Sequence, residues 1–331
     1  MLKVNQQLAL AVDLGGTKII AAVVLPDGKI ISRNYCLTVA DKGPKAVFNR
    51  LLSAANKTVT QAKLKTSELT GVGIAAAGAL DMERGVITDS PNLPNWHDIP
   101  LRDILADGLG ITTYLINDAS AAALGEHRFG AGKGVDNLIY LTVSTGIGGG
   151  IIMGSKLYSG ADGCAGELGH MTIEAGGPKC NCGNLGCLEA LASGTAVARE
   201  AVRRVNGGET SSIVELVAGR LESITAEIVA LAARQGDSLA CDIVAEAANY
   251  LGIGLANLVN IFNPELIVIG GGMSQMGNML LKPARKVVKE RAFKLPARTV
   301  RIVRARLGSN AGIIGAAAYV FDQQLERKTK A

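Results

Sequence analysis

The chain has 331 residues, of which 48% are hydrophobic, 41 are glycine and only 4% are aromatic, with a formal net charge of +5. That apolar content excludes general disorder, and the length suits two domains of roughly 100–200 residues each. Abundant glycine without a collagen period implies tight turns and close backbone approach, and so few rings argue against a surface built on stacking.

Three strands open the chain, over residues 8–14, 19–25 and 29–37. They are separated by Gly15-Gly16-Thr17 and Pro26-Asp27-Gly28, both of which carry turn chemistry. An amphipathic helix is predicted over 46–63, with Leu51, Leu52, Ala55 and Val59 on one face. A strand at 71–76, a Pro/Asn loop at 90–96, a helix at 101–109, a strand at 112–116 and an Ala-rich helix at 119–127 complete the first half. The second half starts the same way, with strands over 138–143 and 149–154 joined by Ser144-Thr145-Gly146-Ile147-Gly148. Helices follow at 195–205, 213–217, 226–234 and 237–262, then a strand at 266–269 running into Gly270-Gly271-Gly272, and a last helix at 309–325. The alternation argues an α/β fold, and the repeated strand–glycine turn–strand plan argues two similar domains. No Pro- or Ser-rich linker parts them, so two packed domains with a central cleft are expected.

The charge is local. Residues 282–331 carry thirteen Lys/Arg and three Asp/Glu, a net of +10, and the preceding residues sum to −5. With Phe293 the one ring among the cations of residues 282–306, a solvated face is expected there and no nucleic-acid partner. No apolar run approaches a membrane span, and the start lacks the pattern of a signal peptide, so no membrane partner and a cytoplasmic location are expected. In that compartment six cysteines point to metal or chemistry, not disulfides. Cys36, Cys164 and Cys241 stand alone among apolar or small residues and are expected to be buried and unreactive.

Three groups of residues carry chemistry. The glycine turns Asp13-Leu14-Gly15-Gly16-Thr17-Lys18, Thr145-Gly146-Ile147-Gly148-Gly149-Gly150 and Gly270-Gly271-Gly272 each follow an apolar strand, where backbone N–H groups can close on phosphate oxygens. None fits the P-loop or opens a helix as a dinucleotide fingerprint must. Asp13, a charge at a strand end, suits Mg²⁺ held through water; a plain turn residue is the alternative. Asn117-Asp118 sits between a strand and a helix, suited either to an N-cap or to a general base held at the strand end. Finally, Glu167, His170 and the string Cys180-Asn181-Cys182-Gly183-Asn184-Leu185-Gly186-Cys187-Leu188-Glu189 bring three thiolates and an imidazole together. That donor set makes a closed tetrahedral zinc site, which stiffens a loop and leaves no open position for chemistry.

Together these residues closely resemble the ROK family (repressors, uncharacterised reading frames and sugar kinases) of the actin-like ATPase superfamily. The resemblance runs from Ala9 to about Phe321 on Asp13-x-Gly15-Gly16-Thr17-Lys18, Asn117-Asp118, Thr145-Gly146-x-Gly148-Gly149-Gly150, Glu167-x-x-His170 and the Cys180–Glu189 string. It implies two actin-like ATPase (ribonuclease H-like) α/β domains with a zinc-binding loop. The smaller would span 1–117 plus 309–331, and the larger 118–308. It implies an ATP-dependent hexose kinase, glucose being the expected sugar, with mannose, fructose or an N-acetylhexosamine as alternatives. By the same resemblance Asp118 is the base, and Gly78, Asn92, Asn117, Glu167, His170 and Glu189 bind sugar. Asp13, Gly15, Gly16, Thr17, Lys18, Thr145, Gly146, Gly271 and Gly272 would bind Mg-ATP, and His170, Cys180, Cys182 and Cys187 would ligate a structural Zn²⁺. His170 would then put one ring nitrogen on zinc and the other towards sugar. The family often has Pro where Ala77 precedes Gly78, so that loop is expected to be less rigid here. Closure of the domains is expected to keep water from the acceptor position. A homodimer, or a tetramer, is expected. Regulators of the family carry an added N-terminal DNA-binding module; with twelve residues before Asp13 no such module is expected, and a sugar-sensing regulator is the lesser alternative.

Overall fold

The protein's structure, a computed structural model, describes residues 7–90 and 93–330. In chain order, β1 (Ala9–Leu14), β2 (Lys18–Val24) and β3 (Ile30–Leu37) form an antiparallel meander. Helix α1 (Pro44–Gln61) then crosses over to β4 (Gly71–Ala76), which pairs parallel to β1. A small ribbon, β5 (Ala79–Asp81), β6 (Val86–Asp89) and β7 (His97–Ile99), precedes α2 (Leu101–Leu109). Strand β8 (Thr113–Asn117), parallel to β4, runs directly into α3 (Asp118–Phe129). The meander then recurs as β9 (Leu138–Val143), β10 (Ile147–Met153) and β11 (Lys156–Leu157). Helices α4 (Leu188–Ala192), α5 (Gly194–Asn206), α6 (Ile213–Leu216), α7 (Ala226–Arg234) and α8 (Ser238–Phe262) lead to β12 (Leu266–Gly270). The chain ends with α9 (Asn278–Arg291), α10 (Lys294–Thr299), β13 (Arg301–Arg304) and α11 (Ala311–Lys330). The two large sheets have the same plan, β3-β2-β1-β4-β8 and β11-β10-β9-β12-β13, as the repeated hairpins led one to expect.

Two compact units result: Met1–Asp136 with Gly150–Gly166 and Arg306–Ala331, and Asn137–Gly149 with Glu167–Ala305. In the first, alternation sends side chains to two buried faces, and along β1 it sorts them by size. Leu10, Val12, Leu14, Ile19 and Val23 pack with Val47 and Leu51 of α1 and with Leu101 and Leu105 of α2. Ala9, Ala11 and Ala22 point the other way, towards Ile313, Ala316, Ala317 and Val320 of α11. Small residues on that face admit a helix close to the sheet, giving an α/β/α sandwich. Trp96, the single tryptophan, is fully buried with its ring edge-on to Phe48, centroids 5.4 Å apart.

The unit boundary differs from the expected one, which ended the first domain at residue 117. Helix α3 belongs to the first unit because it lies along α11 almost backbone to backbone: a Cβ on Gly315 would stand 1.6 Å from the Ala121 carbonyl oxygen, and one on Gly125 2.4 Å from that of Ala311. Glu126, fully buried, adds a second tie. Its Oε1 accepts the N–H groups of Arg306 (2.8 Å) and Leu307 (2.6 Å), and its Oε2 that of Ala131 (2.8 Å).

Two further expectations are corrected. Cys164 and Cys241 are exposed and Cys36 is half-buried. Cys164 lies in a polar Gly/Asp-rich turn, and Cys241 lies on the outer side of the first turns of α8. Helix α8 is, by length and composition, long and apolar enough to cross a membrane. Its buried face, Leu239, Ile243, Leu251, Leu255 and Val259 among others, packs inside the second unit as a core helix does. The basic stretch proves to be α9, α10, β13 and α11, and most of its cations are exposed.

Candidate active site

In the first unit, the predicted residues collect at the carboxyl ends of parallel strands, where open α/β sheets bind ligands. Asp13 is opposite Ala75 and Asn117 opposite Ala76 in adjoining registers, which places Asp13 and Asp118 at one end of β1, β4 and β8. Burial pushes the Asp13 carboxyl up to about 6, and the neighbouring Asp118 charge adds to that; Lys18 and Arg33 oppose it. The Asp118 carboxyl is likewise raised, chiefly by burial, against the pull of the Ala119 N–H. Two partly desolvated carboxylates beside each other are costly, and such costs concentrate at functional sites.

Which residue caps α3 is also decided. Asn117 is the N-cap, its Oδ1 accepting from Ala119 N (3.0 Å) and Ser120 N (3.1 Å). Asp118 occupies the first helical position, its Oδ1 accepting from Ala119 N at 2.8 Å. The Asn117 oxygen is thus occupied, leaving its Nδ2 amide for a ligand. Asp118 keeps Oδ2 free of the capping role. Gly78 adopts φ +117° with the Asp89 carbonyl where a Cβ would stand, so no other residue fits this loop. Ser90 Oγ donates to the Ala77 carbonyl at 3.2 Å, a tether for the loop that lacks the family's proline. Asn92 lies outside the described residues. The first glycine turn is closed by Gly15 N donating to Lys18 O at 3.0 Å, with Gly15 and Gly16 half-buried and Thr17 and Lys18 exposed.

In the second unit, the ligand atoms of His170, Cys180, Cys182 and Cys187 all lie within 4.8 Å of one another. Cys182 and Cys187 sulfurs are 3.7 Å apart, and Cys180 Sγ is 3.7 Å from His170 Nδ1. A tetrahedron of about 2.3 Å Zn–S bonds has edges of about 3.8 Å, whereas a disulfide needs about 2.05 Å. The donor set and spacing therefore fit zinc. The other imidazole nitrogen, Nε2, faces Glu167 Oε2 at 3.8 Å, so the ring's two nitrogens face different neighbours. Glu189, second residue of α4, has Oε2 on the Ile147 N–H at 2.7 Å. The turns at Thr145-Gly146 and Gly271-Gly272 are neighbours: a Cβ on Gly271, which adopts φ +79°, would meet the Val143 carbonyl oxygen at 2.3 Å. Beside them is a cavity of about 100 Å³ lined by Ala226, Glu227, Ala230, Gly272, Met273 and Met276 among others. Arg234 and Gln275 also line it, so the wall mixes apolar side chains with three polar ones.

Residues 9–323 match the ROK family. The chain belongs to that family. It is 40% identical over 314 residues to a glucokinase of Thermotoga maritima, covering 95% of this chain and 97% of the relative. It is also 34% identical over 327 residues to a xylose repressor of Caldicellulosiruptor bescii, covering 98% and 81%. A ROK family glucokinase from Streptomyces griseus, solved in complex with glucose and AMPPNP, matches with a TM-score of 0.81 at 37% identity, covering 94% and 98%.

Several residues of this ROK protein serve the candidate site without any local mark in the sequence. Thr38, fully buried, donates its hydroxyl to the Gly15 carbonyl at 2.6 Å and its N–H to Thr17 O at 2.9 Å, bracing the first glycine turn from the end of β3. Thr195 braces the second, its Oγ1 donating to Thr145 O at 2.8 Å. Glu227 lines the cavity, its Oε1 3.8 Å from where a Cβ on Gly272 would stand. Threonine after an apolar strand is too common a pattern to have singled these out.

Proposed function

We propose that this ROK protein is an ATP-dependent hexose kinase whose substrate is glucose and whose product is glucose 6-phosphate. The observation that carries the reading is the pair Asp13 and Asp118, half-buried at the carboxyl end of one sheet, each with its proton affinity raised by burial. In this reading the Asp118 carboxylate takes the proton of the acceptor hydroxyl as that oxygen bonds to the γ-phosphorus. The bond from that phosphorus to the β–γ bridging oxygen breaks, and ADP leaves. With Oδ1 held by Ala119 N–H, Oδ2 receives the proton. Asn117 Nδ2, Glu167, His170 Nε2 and Glu189 hold the other sugar hydroxyls, as the family resemblance assigns them. Directional groups of this kind suit a polyol, in a chain where only 4% of residues are aromatic.

Asp13 and the glycine turns serve the nucleotide. Mg²⁺, when bound near Asp13, supplies neutralisation of the phosphate charge. Backbone N–H groups of Gly16, Thr17, Thr145 and Gly146 meet phosphate oxygens, and Gly271 and Gly272 border the slot for adenosine. His170, Cys180, Cys182 and Cys187 hold Zn²⁺, which fixes the orientation of the imidazole. The glucokinase relatives support glucose; mannose, fructose or an N-acetylhexosamine would call on nearly the same groups.

The test is ADP release across a hexose panel, with wild-type protein and Asp118→Asn. Glucose is expected to give the highest kcat/KM, and the variant to lose at least about a hundredfold in kcat with little change in sugar affinity. Near-normal turnover in the variant removes Asp118 from the role, and no turnover on any hexose defeats the reading. The xylose-repressor relative supports a second reading, sugar sensing without transfer. Tight sugar binding with no ADP release would select it.

A further inference from the structure

One side chain ties the His/Cys loop to the Ser144–Ile147 turn. Glu189 follows the ligand Cys187 by two residues. Its Oε1 lies 3.8 Å from Cys180 Sγ, and its Oε2 accepts the Ile147 N–H at 2.7 Å. The approach is possible only because residue 146 is glycine, since a Cβ there would meet Oε2 at 2.4 Å. The same segment goes on to grip the turn three times more: Gly194 N–H donates to Ser144 O at 2.7 Å, and Thr195 donates both its N–H (3.3 Å) and its Oγ1 hydroxyl (2.8 Å) to Thr145 O. Residues 189–195 thus hold Ser144, Thr145 and Ile147 from one side. Among the described residues the N–H groups of Thr145 and Gly146 have no partner, which leaves them to an anion.

We propose that Glu189 is a positioning residue for the nucleotide: it passes the shape of the metal-loaded loop to this turn and presets the Thr145 and Gly146 N–H groups for phosphate. The inference rests on the reading of that turn as a phosphate cradle, and it adds a nucleotide role to a residue otherwise assigned to sugar. Charge gives it a distinctive sign. A carboxylate near phosphates repels them, so if Glu189 acted only through its field, removing it would tighten nucleotide binding. If it acts as a strut, removing it loosens the turn and weakens binding.

The experiment is calorimetric titration of AMPPNP with Mg²⁺, without sugar, into wild type, Glu189→Ala and Glu189→Gln. The alanine variant is expected to raise the AMPPNP Kd at least about tenfold, from the loss of a charge-assisted hydrogen bond. The glutamine variant, which keeps an acceptor for Ile147 N–H, should stay within about threefold of wild type. Alanine binding equal to or tighter than wild type, with only the sugar KM raised, overturns the strut and leaves the kinase reading standing. Wild type that binds no AMPPNP overturns both. Amide exchange over residues 144–149 of wild type, before and after zinc chelation, gives a readout that does not depend on the variants folding. Faster exchange at Ile147 after chelation is expected, and unchanged exchange overturns the link to the loop.

Discussion

Replacing Asp13 by Asn should make the resting protein more stable and leave it inactive. The folded chain holds the Asp13 proton to about pH 6, against 3.8 for the ordinary group. Because the folded value is the higher one, stability associated with this group is fully present below about pH 4 and is lost as pH rises through about 6. At about 1.4 kcal/mol per tenfold, the loss at pH 8 amounts to about 3 kcal/mol, and about half of it is already incurred at pH 5. Water reaching a partly exposed carboxylate reduces this, so a gain of about 1–3 kcal/mol is expected for Asp13→Asn at pH 8. The assay is urea denaturation of both proteins at pH 5 and pH 8, with Mg²⁺ and nucleotide removed. The variant should unfold at higher urea at pH 8, and the gap should narrow at pH 5. Asp118→Asn should also stabilise at pH 8, because Asp118 is the second cause of the Asp13 shift after burial and its own carboxyl is raised chiefly by burial. A variant no more stable than wild type at pH 8, or a gap that does not depend on pH, refutes the reasoning. Turnover should fall at least about a hundredfold even as stability rises, the exchange expected where a site holds unfavourable charge for function.

Three other perturbations test the frame around the site. Cys182→Ser should lose zinc and melt at lower temperature, read by metal analysis and calorimetry; wild-type protein purified without about one zinc per chain would count against the cluster as a metal site. Glu126→Ala should lower unfolding free energy by about 3–5 kcal/mol, since three backbone N–H groups lose a buried acceptor, and a change below about 1 kcal/mol in chemical denaturation would refute the tie. Gly315→Ala gains about 1 kcal/mol in helix propensity but forces a Cβ to within 1.6 Å of the Ala121 carbonyl oxygen. Since backbone cannot give way as a flexible side chain can, the steric cost should win. A soluble variant as stable and as active as wild type would show that α3 and α11 can part without consequence.

Much of the fold was legible because its elements are long and strongly patterned. Strands β4 and β9 and helices α2 and α7 agree with the sequence expectation to the residue, and most other long elements agree within two. The ribbon β5–β7 and helix α4 escaped notice, since three to five residues hold too little periodicity to declare themselves. Helices α9 and α10 go beyond the sequence expectation; each contains a proline, Pro283 and Pro296, a residue that ordinarily argues against helix interior.

The chemistry divides in the same way. The cluster of His170 with the three cysteines and the glycine turns could be read from residue types at short spacing, because turn and ligand chemistry is local; on residue types alone, Asp118 stands between cap and base. Only the tertiary structure decided that Asn117 is the cap and Asp118 is relieved of that duty. Nor could the sequence show that Asp13 and Asp118 share a sheet end, that α3 belongs with α11, or that Glu189 spans from the metal loop to Ile147. Those facts rest on contacts between residues far apart in the chain: 42 positions from Ile147 to Glu189, and 180 from Glu126 to Arg306. A hydrogen bond closing so long a loop is specified by the packing of whole elements, and no short pattern of residues records it.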